Sequence, residues 1–496
     1  MNHQVSHRFG RTAGILMPVS ALPSPYGIGT FGKAAFAFID FLYECRQSYW
    51  QVLPLNPTSY GDSPYQSPAS IAGNPYFIDP VLLFEEGLLT KGDLAELKIG
   101  EGRIDYGRLF YTRYPILRRA YARFAASEDY FTFCRKNASW LEDYALFMAL
   151  KVHNEYRPWT EWRDDQRDVK VARENARDYE AEMDFWRWVQ YEFMKEWQAV
   201  RHYAHQKGIS IIGDMPIYVA HDSMDVWRAP DQFLLDEDYN PTVVAGCPPD
   251  AYAEDGQLWG NPIYDWEKMK NEGFAWWLER IGKSFTLYDV LRIDHFRGFA
   301  GYYTIPFGEE TAKNGQWNRG PGIELFRAVK EAYPSANIIA EDLGFITDDV
   351  RELLRDTAFP GMKVLQFAFY DDNSEYLPRT YSTDNCIVYA STHDSDCTRS
   401  WYANLDNTAR TRFKRECPRK AGQSATLATV EMALSSRADL AVIALQDYLE
   451  LTNEQGRINV PSRAEGNWSW RVSPRYATAK RREIVKAMAV STGRTK

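Results

Sequence analysis

The chain has 496 residues, with 58 Lys and Arg against 67 Asp and Glu, for a net charge of −9. A mildly acidic chain lacks the basic footprint that nucleic acid requires, and no apolar run reaches the ~20 residues that span a bilayer. With 45% apolar residues it can fill a large core, which excludes disorder as its main state.

Met1 to Gly10 is polar and has no apolar stretch of the kind a signal peptide carries. The six cysteines are scattered with no CxxC pair, against a disulfide framework or a zinc ribbon. Together these features predict a soluble, cytoplasmic protein. Aromatic residues make up 15% of the chain. Most belong to a core, but those in the turn-rich, polar segments 59–66 and 251–266 have no core to fill. A ligand with flat apolar faces and polar edges accounts for them, and sugars have that shape.

In chain order, short apolar runs alternate with helical patterns. Residues 14–19 and 49–55 read as buried strands, with an amphipathic helix at 31–42 between them. Residues 82–180 are helix-like and charged, too long for a loop, and predict a mostly helical insertion. A helix follows, with Phe185, Val189, Phe193, Trp197, Val200 and Ala204 at steps of four and three and Gly208 placed to end it. After a strand at 209–219, residues 221–268 are rich in Asp, Pro, Gly and Trp and read as a functional loop insertion. Further strands fall at 289–293, 337–340, 363–369, 387–390 and 440–445, with helical periods at 274–288, 323–332, 348–357 and 426–435. Eight strands with helices between them predict one catalytic domain over 1–496. Its expected class is α/β: a (β/α)8 TIM barrel with a helical insertion and long loop insertions around the C-terminal face of the barrel.

The apolar runs share a terminator. Asp214, Asp294 and Glu341 each close one, and Asp394 follows another through Ser391, Thr392 and His393. Strand C-termini in a barrel face one end, so four carboxylates converge on one rim. Such a cluster reads either as a hard-metal site or as a glycoside site in which one carboxylate attacks and another donates a proton. Arg292, two residues before Asp294 on the same strand face, favours the second, because a cation beside the ligand is a poor way to build a cation site. His295 and His393 suit hydrogen bonding to hydroxyls.

At 291–298 (LRIDHFRG) and 338–344 (IIAEDLG) the sequence resembles the 4-α-glucanotransferases, or amylomaltases, of the α-amylase superfamily. Further segments agree in order over essentially the whole chain: GILMPVSALPSPYGIGTFG from Gly14, YGDSPYQSPASIAGNPYFID from Tyr60, GDMPIYVAHDSMDVW from Gly213, CPPDAYAEDGQLWGNPIY from Cys247, TAKNGQWNRGPG from Thr311, STHDSD from Ser391 and GNWSWR from Gly466. The resemblance implies Asp294 as nucleophile, Glu341 as general acid/base and Asp394 as the carboxylate that binds sugar hydroxyls in the transition state. It implies that Asp214, Arg292 and His393 hold the sugar at the cleaved bond. Tyr60, Gln257 and Trp259 then line the glucan groove, and Asp371 and Asn467 fall near binding segments. It also implies malto-oligosaccharides and α-1,4-glucans as donors, glucose or glucan as acceptor, and no metal or organic cofactor.

Two segments depart from the family pattern. Ser395 and Cys397 follow Asp394 where the family usually has Asn and then Thr, and Ala251-Tyr252 replaces an aromatic pair. The expected chemistry is retaining transfer, with Asp294 and Glu341 about 5–5.5 Å apart, Glu341 raised in pKa and Asp294 low. A plain α-glucan hydrolase and a non-catalytic α-glucan-binding protein are the alternatives.

Overall fold

Eight apolar runs pair as parallel strands in the computed structural model, which describes residues 9–249, 254–344, 346–461, 463 and 465–495 and, of Tyr60, the backbone alone. They are β1 (Thr12–Leu16), β2 (Tyr49–Gln51), β3 (Ser210–Met215), β4 (Val290–Ile293), β5 (Ile338–Ala340), β6 (Gly361–Val364), β7 (Cys386–Tyr389) and β8 (Leu440–Ala444). Hydrogen-bonded neighbours run in the order β6-β7-β8-β1-β2-β3-β4-β5. The backbone N–H of Ala340 donates to Pro360 O at 3.0 Å and joins the two ends, so the sheet is a barrel with one thin seam. Strands covered on both faces need apolar side chains at nearly every position, which is why β1, β7 and β8 are buried throughout.

Helices wrap the barrel with their apolar stripes inward. Lys33–Glu44 buries Ala35, Phe38, Ile39, Phe41 and Leu42. In Glu180–Gln206 the six residues from Phe185 to Ala204 picked out by their spacing are all buried. That helix gives way at Gly208, whose φ of 71° lies in the left-handed region that favours glycine. Residues 82–180 hold the helices Lys91–Glu96, Tyr106–Tyr121, Glu128–His153 and Val169–Glu174. Glu128–His153 packs along Glu180–Gln206, where Gln190 Nε2 donates to the Tyr144 hydroxyl at 3.2 Å. Trp197 Nε1 in turn donates to Leu287 O at 3.0 Å and ties this layer to the barrel helix Ala275–Leu287. No helix among the described residues is long and apolar enough to cross a membrane.

The segment 221–268, expected as a loop, contributes two strands, Val243–Cys247 and Gln257–Pro262. They join Gly301–Pro306 and Gln316–Arg319, from the connection between β4 and β5, in a four-stranded antiparallel sheet. Sequences such as QLWGNP and QWNR show no apolar alternation, so pairing with a neighbouring strand makes them strands.

Candidate active site

Asp214 of β3 and Arg292 of β4 are register partners across neighbouring strands. The guanidinium Nη1 donates to both Asp214 oxygens at 2.6 and 2.7 Å, with both side chains buried. Asp294, two residues on from Arg292 and so on the same face, places Oδ1 2.9 Å from the same Nη1. The Tyr65 hydroxyl donates to Asp214 Oδ2 at 2.7 Å and lies 2.8 Å from His393 Nε2. Its ring stacks on the imidazole at 5.4 Å and 11°. His393 Nε2 sits 3.2 Å from Asp394 Oδ2, and Asn459 Nδ2 donates to Asp394 Oδ1 at 2.6 Å. The chain from Arg292 to Asp394 is continuous.

Glu341, directly after β5, accepts from His295 N at 2.7 Å and Leu343 N at 2.9 Å. His295 adopts a left-handed φ of 50° to turn its N–H this way, a conformation that costs a non-glycine residue roughly 1–2 kcal/mol. Burial pushes the His295 imidazole down to about 3, with Arg297 adding to it, so it is neutral at physiological pH.

Burial and the charge of Asp294 raise Glu341 to about 7 against the pull of Arg292 and the two N–H donors. Asp294 departs from expectation. Burial, with the charges of Asp214 and Asp394, raises it to about 6 despite Arg292. Burial is the main reason, and Arg292, which also pairs with Asp214, does not offset it. The order is as expected, with Glu341 the weaker acid. Burial also opposes ionisation of Asp394, but His393, Asn459 and Arg292 outweigh it and hold that carboxyl well below its ordinary range.

Two clefts meet at these groups. One, of about 370 Å³, runs past Tyr65, Tyr218, Asn459 and Trp468. The other, of about 830 Å³, holds Arg292, Glu341, Trp317 and Phe367. Asp294, Asp394, Gln257, Trp259 and His295 line both.

A family model described as 4-alpha-glucanotransferase matches residues 17–477. The chain belongs to the 4-alpha-glucanotransferase family. The 4-alpha-glucanotransferase of Streptococcus pneumoniae is 46% identical over 93% of each chain. That of Aquifex aeolicus is 43% identical over 98% of this chain and 99% of its own. Among solved structures, the amylomaltase from Streptococcus agalactiae in complex with acarbose superposes with a TM-score of 0.94 at 39% identity, over 98% of this chain and 100% of that one.

In this glucanotransferase Asp214, Asp294, Glu341, Asp394, Arg292 and His393 come together, and Gln257 and Trp259 join them from the antiparallel sheet. Trp259 Nε1 donates to Gln257 Oε1 at 3.1 Å, and its ring meets His295 edge-on at 4.8 Å. Asn467 staples a loop: its amide accepts from Val460 N at 2.8 Å and donates to Val460 O at 3.2 Å and Arg463 O at 2.9 Å. The groove residues Pro461 and Trp468 flank it. Asp371 is not brought to the clefts; it is exposed and accepts from Asn373 N at 2.6 Å in its own turn. The side chain of Tyr60 and residues 250–253, with the Ala251-Tyr252 departure, lie outside the described residues. Of the other departures, Ser395 is half-buried and lines the larger cleft, and Cys397 is buried. Ser395 Oγ accepts from Thr392 N at 2.7 Å, and burial pushes the Cys397 thiol up to about 12, which makes it unreactive.

Sequence reading missed Tyr65, Asn459, Arg457 and Trp468. Tyr65 carried a signal, since it sits in the turn-rich aromatic segment 59–66. Asn459 and Arg457, whose Nη2 donates to Asp394 O at 2.9 Å, carried none, because they follow no strand.

Proposed function

We propose that this 4-α-glucanotransferase transfers α-1,4-glucan segments by double displacement on Asp294. Glu341, protonated at the start, gives its proton to the glycosidic oxygen while an Asp294 carboxylate oxygen attacks the anomeric carbon. The C–O bond to the reducing-end fragment breaks with its electron pair, and that fragment leaves as an alcohol. Glu341, now a base, takes the proton of an incoming 4-hydroxyl, whose oxygen displaces Asp294 and restores the α-configuration. Asp394, with His393 and Asn459 fixing its oxygens, holds sugar hydroxyls beside the reacting carbon. No cofactor enters this scheme.

The observation that carries the reading is the contrast between the paired carboxyls. Asp294 lies against a guanidinium, whereas Glu341 is raised by burial and by the Asp294 charge more than its two N–H donors lower it, so Glu341 is the one that keeps a proton near neutrality. Glu341 lines only the larger of the two clefts. Because the acid must sit beside the leaving oxygen, that cleft takes the leaving fragment and then the acceptor. The smaller cleft, with Tyr65 and Trp468, takes the donor segment. Donors are malto-oligosaccharides and acceptors are glucose or glucan, and the proposed location is the cytoplasm.

Incubation with maltotriose tests the reaction. Transfer yields free glucose and a ladder of longer oligosaccharides, whereas simple shortening means hydrolysis. Asp294→Asn should abolish turnover of every donor. Glu341→Gln should still release fluoride from an α-glucosyl fluoride, which needs no protonation, and accumulate the ester. A mass-spectrometric adduct on any residue other than Asp294 overturns the nucleophile assignment.

A further inference from the structure

The seam of the barrel runs beside Glu341. In a regular parallel ladder, the bond from Ala340 N to Pro360 O is followed by one from Met362 N to Ala340 O. Here the first is present at 3.0 Å, but Met362 N donates to a side chain, Asp342 Oδ1, at 2.6 Å. Across β5 the pattern is mirrored, because His295 N, just beyond β4, donates to Glu341 Oε2. The consecutive residues Glu341 and Asp342 thus splice the end of β5 to both neighbouring strands with their carboxyl groups. Successive side chains of an extended segment point to opposite sides, so Asp342 faces away from the cleft that Glu341 lines.

Two further observations mark this contact as built. Gly361, the first residue of β6, lies against the carboxylate so closely that a Cβ there would collide with it. Asp342 is also half-buried, and desolvation pushes its carboxyl up to about 6 against the Met362 N–H and the charge of Lys363. The charged groups facing it are Lys363 of β6 and Glu375, which pair with each other at 2.8 Å. Those facing Glu341 are Asp294 and Arg292.

We infer that Asp342 is a positioning residue: by accepting the Met362 N–H it pins the strand end from which Glu341 projects, and so sets the distance over which Glu341 moves its proton. The inference rests on the reading of Glu341 as general acid/base. On the β4 side Glu341 N donates to Ile293 O and Phe296 N to Glu341 O, both at 3.0 Å, so losing the Asp342 bond loosens the β6 side of the strand end, where the Ala340–Pro360 bond alone then joins the two strands among the described residues.

Three variants test it. Asp342→Asn keeps an oxygen acceptor in place without the charge, Asp342→Glu keeps the charge but moves the acceptor by a methylene, and Asp342→Ala removes both. Asn should leave kcat on maltotriose within about 3-fold of the parent. Glu and Ala should lower it by about 10- to 100-fold, the scale of an ångström-level misplacement, with KM changed by less than about 2-fold and the alkaline limb of the pH profile displaced. First-turnover fluoride release from α-maltosyl fluoride, which needs no acid, should stay at the parent rate in all three. Should Ala not fold, the Asn and Glu variants decide. The inference is overturned if kcat of the Glu variant stays within 3-fold, if Asn is as damaged as Glu, or if fluoride release falls in step with maltotriose turnover. Glu341→Gln, run alongside, separates the two claims. If it loses fluoride release, the acid/base reading fails; if it retains release while the Asp342 variants keep full maltotriose turnover, only the positioning inference fails.

Discussion

Arg292 shares one guanidinium between Asp214 and Asp294, and against it burial and the neighbouring carboxylates set how the site titrates. With Asp294 near 6 and Glu341 near 7, kcat/KM should follow a narrow bell, rising as Asp294 ionises and falling as Glu341 loses its proton. A pH–rate profile on maltotriose checks both limbs. Stability carries the same signature. Glu341 is raised from an ordinary 4.5 to about 7, so its contribution is full below pH 4.5 and lost as pH rises through 7. Glu341→Gln should therefore be more stable than the parent at pH 8, by on the order of 1–3 kcal/mol, with the gain shrinking towards pH 4.5. Urea denaturation at both ends measures it. Tyr65→Phe removes a hydroxyl hydrogen-bonded to a buried carboxylate, a bond worth about 1.5–3 kcal/mol. Its kcat/KM should fall by about 10- to 100-fold, with a lowered melting temperature that reports the same lost bond.

At the scale of elements, the antiparallel sheet builds the groove wall, because Gln257 and Trp259 reach both clefts from one of its strands. The Trp259 ring is braced by Tyr218 at 6.2 Å and His295 at 4.8 Å, which fixes its face beside both clefts, where we propose that it stacks on a sugar. An aromatic contact adds about 0.5–1.5 kcal/mol, so Trp259→Ala should lower kcat/KM for maltoheptaose by about 2- to 13-fold, and less for maltotriose. Equal losses on both substrates with a lower melting temperature would show instead that the indole only pins the loop. The barrel strands were legible because burial on both faces leaves an unbroken apolar run. The four antiparallel strands were not, because their sequences lack an unbroken apolar run and they take their conformation from the strands they pair with.

For the molecule as a whole, the two ends of the barrel do separate work. Opposite the carboxylates, Arg494 is fully buried and donates to the carbonyls of Thr12, Leu434, Ser436, Ala438 and Asp439. It clamps the starts of β1 and β8 and the end of the helix Ala425–Ser435. Arg494→Met removes a donor that these carbonyls partly share, since Arg11 also donates to Leu434 O and Ser436 O and Thr12 N to Asp439 O, and should cost about 1–3 kcal/mol. Because Asp294 and Glu341 lie at the other end, kcat measured below the unfolding transition should be unchanged. A parallel loss of kcat would mean that the two ends are coupled.

The amino-acid sequence by itself determined the barrel class, the carboxylates at the strand ends and the pairing of Arg292 with an acid, because these depend on local apolar periodicity and on which residue follows each run. Tertiary structure alone decided which groups touch. Tyr65 and Asn459 reach the site from segments remote along the chain, and Asp371, placed near a binding segment by resemblance, turns into its own loop. It also decided that Asp294 is raised in pKa, since the effect of one arginine depends on how many carboxylates share it and how much water reaches them. Neither distance nor desolvation is written in residue order; both arise only when the strands close into the barrel.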